Sequence, residues 1–119
     1  MTKHRERELD AAFSALSDPK RRAVIRALMK RPRRAGELAK DVSMSPPALS
    51  RHLRVLRRSH LIAERGIEED ARVRVYRIEP AAFKPMREWI EAVEGFWRDQ
   101  LGAFKTHAEN PARKRGPRP

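Results

Sequence analysis

Residues 45–58 read SPPALSRHLRVLRR, and the fold follows from how this stretch is read. Ser45 before Pro46 is a helix start, because a serine hydroxyl accepts from orphan amides and proline tolerates the first helical position. At about 100° per residue, Pro47, Ser50, Arg51 and Arg54 fall on one contiguous face, while Leu49, Leu53 and Leu56 fall opposite. The leucines demand burial, so the polar face is presented outward. The stretch carries four arginines, one histidine and no acid, and no acidic residue occurs between Asp41 and Glu64. A merely solvated helix mixes both signs, since opposite charges at i,i+4 stabilise it and like charges repel. Arg54, Arg57 and Arg58 crowd together without such relief, and phosphates would supply the missing counter-charge.

The flanking residues give this helix its setting. Upstream, AGELAKDV (35–42) reads as a short helix burying Leu38, Ala39 and Val42, and SMS (43–45) as a tight turn. KRPRR (30–34) is a break, because proline disfavours helix in the residue before it. Asp18 and Pro19 start a further helix to about Lys30, with Val24, Ala27 and Leu28 as its apolar stripe. Residues 4–17 place Leu9, Phe13 and Leu16 at helical spacing. Downstream, LIAER (61–65) and ARVRVYRI (71–78) read as two short strands joined by GIEED, a loop opened by Gly66. A long helix then runs from Ala81 or Pro85 to about His107. The fold class expected is mainly α with a small β-hairpin: a helix, a tight turn and a basic second helix make a helix-turn-helix, and the hairpin supplies a wing.

The totals narrow the function. A chain of 119 residues is about one domain, expected over residues 1–108, with a basic, proline-containing tail at 109–119 that should be disordered on its own. Net charge is +12 and the isoelectric point near 11.3, which points to a polyanionic partner. There is no cysteine, so disulfides, thiolate metal sites and thiol redox chemistry are excluded. With no apolar run long enough to span a bilayer and a charged N-terminus, the chain reads as cytoplasmic and away from membranes. No glycine-rich phosphate loop, nucleophile elbow or histidine–carboxylate cluster is present, so the chain is not read as an enzyme and needs no cofactor.

The stretches FSALSDPKRRAVIRAL (13–28), AGELAKDVSMSPPALSRHLRVLRRSHLI (35–62), RVYRIEP (74–80) and WIEAVEGFWRDQL (89–101) resemble the ArsR-type winged helix-turn-helix regulators over about residues 9–107. The resemblance implies a homodimeric bacterial repressor on a dyad-symmetric operator in double-stranded DNA. By position, it implies that Ser45, Pro47, Ser50, Arg51 and Arg54 are recognition-helix contacts and that Arg72 and Arg74 are basic residues of the wing. Arg58, in the last turn of the same basic helix, is grouped with the DNA-binding residues. The resemblance also leaves room for a small-molecule effector.

Two departures from the family pattern matter. The cysteine motif of the metal- and metalloid-sensing members is absent. The last helix offers only His107, too few histidines for a tetrahedral zinc site, so no intrinsic metal site is expected. His52, at the edge of the buried face of its helix, suits a structural or phosphate-contacting role better than ligation. The wing tip carries Glu68, Glu69 and Asp70, which would repel phosphates and so argue against insertion of the tip.

The terminal helices are expected to dimerise. Leu9 and Phe13 on the first, with Met86, Ile90, Val93, Phe96, Trp97 and Leu101 on the last, are more apolar surface than one thin domain covers. Trp89, Phe96 and Trp97 read as core and dimer contacts, with a hydrophobic effector pocket as the alternative. Gly95 and Gly102 inside this helix suggest close approach of another helix. The rival to a DNA-binding regulator is a basic RNA-binding or ribosome-associated winged-helix protein. RNA recognition favours exposed aromatics that stack unpaired bases, whereas the few aromatics here, 6% of the chain, fall at helical core spacing.

Overall fold

The structure, a computed structural model, describes residues 2–67 and 70–109. The acidic tip residues Glu68 and Glu69 and the tail from residue 110 lie outside the described residues. The chain divides into two units, one ending at Met86 and one beginning at Arg87.

The first unit contains helices α1 (Thr2–Leu16), α2 (Pro19–Lys30), α3 (Ala35–Asp41) and α4 (Pro46–Arg58), with strands β1 (Arg33–Arg34), β2 (Ile62–Ile67) and β3 (Asp70–Ile78). The starts of α2, α3 and α4 each have a local cause. Asp18 caps α2 by accepting from the Lys20 amide at 2.7 Å, with Pro19 in the first position. Glu37 reaches back to accept from the Arg34 amide at 3.0 Å at the start of α3, and the Ser45 hydroxyl accepts from the Ala48 amide at 3.3 Å at the start of α4.

The ends of α3 and α4 share one device. Ser43 and His60 adopt positive φ, 53° and 64°. Each stands one residue past the last capped turn, and the next amide reaches back five residues, Met44 to Ala39 at 3.0 Å and Leu61 to Leu56 at 3.1 Å. This is the Schellman closure, which satisfies orphan carbonyls and turns the chain sharply. The first instance sets the angle between α3 and α4. The second drops Leu61, fully buried beside the equally buried Leu56, into the core.

That core is built from Val24, Ile25 and Leu28 of α2, Leu38 of α3, Leu49, Leu53 and Leu56 of α4, then Leu61, Ile62 and Tyr76, with Ala12, Ala15 and Met86 completing it. The α2 stripe differs slightly from the expected one: Ile25 is buried and Ala27 only half-buried. The expected hairpin is a three-stranded antiparallel sheet of order β1–β3–β2. Arg33 and Arg34, assigned to a break, pair with Tyr76 and Val75. Pro32 ends helical geometry, and the extended residues after it find the open edge of β3. Gly66 does not open the loop either: it lies within β2 opposite Arg74, with a register irregularity between Gly66 and Ile67.

A 3-10 turn over Pro80–Phe83 leads into α5 (Lys84–Glu109), most of which forms the second unit. Its apolar residues Trp89, Ile90, Phe96, Trp97, Leu101 and Phe104 are exposed. Phe96 and Trp97 meet edge to face, with ring centroids 5.5 Å apart. Met86, grouped by its spacing with the interface residues, is a correction: at 6% exposure it belongs to the core of the chain itself and has little surface left for a partner. Leu9 is likewise half spent on that core, and Val93 is half-buried.

Candidate nucleic-acid interface

The outward face of α4 follows from its inward one. Leu49, Leu53 and Leu56, at 1%, 3% and 0% exposure, fix the helix about its axis. Burying each such side chain contributes roughly 1.5–3 kcal/mol relative to exposure, far more than any single surface ion pair. Pro47, Ser50, Arg51, Arg54 and Arg58 are consequently exposed together with Ser45 at the capped end. Among the described residues Arg51, Arg54 and Arg58 have no acidic partner.

Nearby arginines contrast with these three. Arg31 pairs with Glu37 at 3.1 Å, and Arg33 pairs with Asp41 while itself largely buried. The acids of α3 are thereby taken up by β1 and the residues before it, and neither pairs with Arg51, Arg54 or Arg58. The carboxyls of Asp18 and Glu37 are held below their ordinary values, chiefly by the backbone amides of Lys20 and Arg34. Both therefore remain anionic where they cap helices.

Arg21 braces the start of α2 against α4. Its Nε donates to the Ala15 carbonyl at 2.6 Å, one Nη stands 3.6 Å from the Asp18 carboxylate, and the same nitrogen lies 3.4 Å from His52 Nδ1. Guanidinium only donates, so a hydrogen bond across this contact takes Nδ1 as its acceptor. The half-buried His52 thus lies against Arg21 of α2, which fits the structural one of the two roles, structural or phosphate-contacting, expected of it. Sequence reading passed over Arg21, because nothing in DPKRR distinguishes it from its neighbours.

The sheet supplies the second basic element. Side chains two apart on a strand share a face, so Arg72, Arg74 and Tyr76 line one side of β3. Tyr76 is buried, and Arg72 and Arg74 are exposed farther toward the tip. Glu64 lies opposite Tyr76 in the register, and its carboxylate accepts from the Tyr76 hydroxyl at 2.7 Å. The same carboxylate stands 3.7 Å from Arg57 and 3.9 Å from Arg74. Burial first, and then Glu64, push the Tyr76 hydroxyl above its ordinary value, so it stays a donor. The expectation that Arg57 lacks a counter-charge, as Arg54 and Arg58 do, is corrected: Glu64, which sequence reading did not single out, stands beside it. The pairing of Glu64 with Tyr76 was the signal, but it needs a register that the sequence leaves open.

A helix capped at its N-terminus, pinned by leucines and presenting unpaired arginines suits a groove lined with phosphates and base edges. Among the described residues, no group of three or more histidines, aspartates or glutamates is placed to hold a metal ion. No helix among them is long and apolar enough to cross a membrane.

Known proteins agree with this reading. Residues 18–64 match the family model described as bacterial regulatory protein, arsR family. Over 95 residues the chain is 36% identical to the HTH-type transcriptional regulator Rv2034 of Mycobacterium tuberculosis, covering 76% of this chain and 86% of that one. It is 32% identical over 56 residues to the transcriptional repressor SdpR of Bacillus subtilis, covering 47% of this chain and 62% of SdpR. The crystal structure of the ArsR family transcriptional regulator RHA00566 superposes with a TM-score of 0.67 at 32% identity, covering 78% of this chain and 93% of that one. With the fold, the exposed basic helix and these matches in agreement, the chain belongs to the ArsR family of bacterial regulatory proteins and is a DNA-binding transcriptional regulator.

Proposed function

We propose that the protein is a homodimeric repressor that binds a dyad-symmetric site in double-stranded DNA, with α4 in the major groove. The observation that carries this is the outward face of α4, where Arg51, Arg54 and Arg58 stand exposed with no acidic partner among the described residues. Ser45, Pro47, Ser50 and Arg51 occupy the N-terminal half of the helix, the end that a recognition helix brings to base edges. Arginine there suits guanine O6 and N7. Arg54 and Arg58, farther along, suit phosphates, as do Arg72 and Arg74 on the stem of the wing. Such contacts set position and register rather than sequence.

Dimerisation is supported by the exposed apolar side chains of α5, with Ile90 at 45%, Phe96 at 56%, Trp97 at 57% and Leu101 at 62% exposure, and by Phe13 of α1 at 38%. Val93 of α5 and Leu9 of α1 are each half-buried, and each would extend the apolar face of its own helix. Two-fold pairing would set the two α4 helices about 34 Å apart, one turn of DNA. The protein acts in the cytoplasm by binding rather than by catalysis, and repression follows from occupying the operator. Analytical ultracentrifugation should show a dimer at micromolar concentration, and adding a duplex recovered by selection from the source genome should give one dimer per duplex. A monomer in both conditions contradicts the proposal. Preference for structured RNA over that duplex at moderate salt would favour the RNA-binding alternative instead.

A further inference from the structure

Glu64 is the first acid after Asp41 in the sequence, and it sits where the recognition helix and the wing meet. Its Oε2 accepts from the Tyr76 hydroxyl at 2.7 Å. Its Oε1 faces two cations from different elements, Arg57 of α4 at 3.7 Å and Arg74 of β3 at 3.9 Å. Tyr76 is 7% exposed, so the group that orients the carboxylate is anchored in the core. Gly66, directly opposite Arg74 in the register, has no side chain to compete for that guanidinium. Glu64 is the diagonal neighbour, within reach of a long side chain.

We propose that Glu64 is a positioning residue of the DNA-facing surface, and that its carboxylate holds Arg57 and Arg74 together while restraining their attraction to any phosphate backbone. The inference rests on reading α4 and the wing as a DNA interface. On the helical wheel Arg57 lies beside Ser50 and Arg54, so the pair that Glu64 gathers belongs to the outward basic face. Without Glu64, two guanidinium groups would repel each other and swing independently toward the nearest phosphates. With it, one negative charge offsets part of two positive ones and fixes where both point. Non-specific binding to DNA is almost wholly electrostatic, so this restraint falls most heavily on DNA that lacks the operator sequence. The carboxylate therefore acts on discrimination more than on maximal affinity.

The test compares wild type with Glu64→Gln, which keeps the size of the side chain and an oxygen to accept from Tyr76. Binding to a mixed-sequence duplex and to the duplex selected from the genome is followed by fluorescence anisotropy over a range of salt. Each further phosphate that the protein neutralises steepens the slope of log affinity against log salt by about 0.9, so freeing both arginines adds up to about 1.8. For each such phosphate, the advantage of the variant on mixed-sequence DNA grows about threefold between about 0.3 M and about 0.1 M salt. The selected duplex should benefit less, so discrimination falls. Adding Arg57→Gln and Arg74→Gln to Glu64→Gln should abolish the advantage, which a merely structural role for Glu64 would not produce. Should Glu64→Gln fail to fold, the same two arginine substitutions in wild type decide the matter. A loss of slope well below about 1.8 supports restraint by Glu64, and the full loss overturns it. An unchanged or shallower slope in folded Glu64→Gln also overturns the inference. Failure of wild type to bind either duplex would overturn the DNA-binding reading itself, a separate result.

Discussion

The orientation of α4 rests on three leucines, and one paired substitution tests it. Leu56 has no exposed surface, whereas its neighbour Val55 is 37% exposed. Leu56→Ala removes three carbon atoms from a core that also holds Val24, Leu28, Leu38 and Leu61. At about 0.8 kcal/mol per buried methylene the transfer loss alone is about 2 kcal/mol. The unfilled space adds to this, so the cost should fall at about 2.5–5 kcal/mol. Val55→Ala removes two carbons from a side chain already in contact with water and should cost less than about 1 kcal/mol. Urea unfolding followed by circular dichroism, at one fixed protein concentration because dimerisation would couple to folding, measures both. The DNA affinity of the folded fraction of Leu56→Ala should change little, since Leu56 faces away from the basic surface. Equal costs at the two positions would mean that α4 is rotated about its axis, and the assignment of its outward face would fall with it.

Ser43 has φ of 53°, a conformation that disfavours side chains with a Cβ. Ser43→Gly should leave the fold intact and raise stability by up to about 1 kcal/mol, less the greater chain entropy of glycine in the unfolded state; a clear loss by thermal unfolding would contradict the Schellman account of the turn. The depressed carboxyls of Asp18 and Glu37 give an acid dependence with a definite sign. Their contribution is present above the ordinary carboxylate range and is lost as pH falls through the lower folded values. Stability of wild type measured from neutral to acidic pH should therefore fall more steeply than that of Asp18→Asn/Glu37→Gln, and parallel curves would show that the two caps contribute nothing.

Much of the fold was legible because the signals are local. Asp18–Pro19 and Ser45–Pro46 announce helix starts through side-chain capping, and α2 and α4 begin where those pairs stand. The three-and-four spacing of Leu49, Leu53 and Leu56 fixed the buried face of α4 because a helix repeats its own geometry. What escaped the sequence depends on distant pairing. Arg33 and Arg34 join the sheet only because β3 offers them an edge, and two arginines carry no strand signature. Gly66 reads as a turn residue, yet it is accommodated at an irregularity within β2. Met86 has the spacing of an interface residue and the burial of a core residue, a distinction that periodicity does not make. In the candidate site, Ser50, Arg51 and Arg54 followed from the wheel, whereas the clustering of Arg57, Glu64, Arg74 and Tyr76 depends on strand register, and that of Arg21 with His52 on the packing of two helices.

The most direct test of the central claim is the binding of Arg51→Ala to the selected operator and to a scrambled duplex of the same composition, each over a range of salt. Arg51 is exposed on a helix that its leucines hold in place, and the proposed docking of α4 has it meet a base edge rather than sample phosphates. Its loss should cost roughly 1–3 kcal/mol on the operator and much less on the scrambled duplex. An equal loss on both would make α4 a charged surface without sequence recognition and would contradict the account.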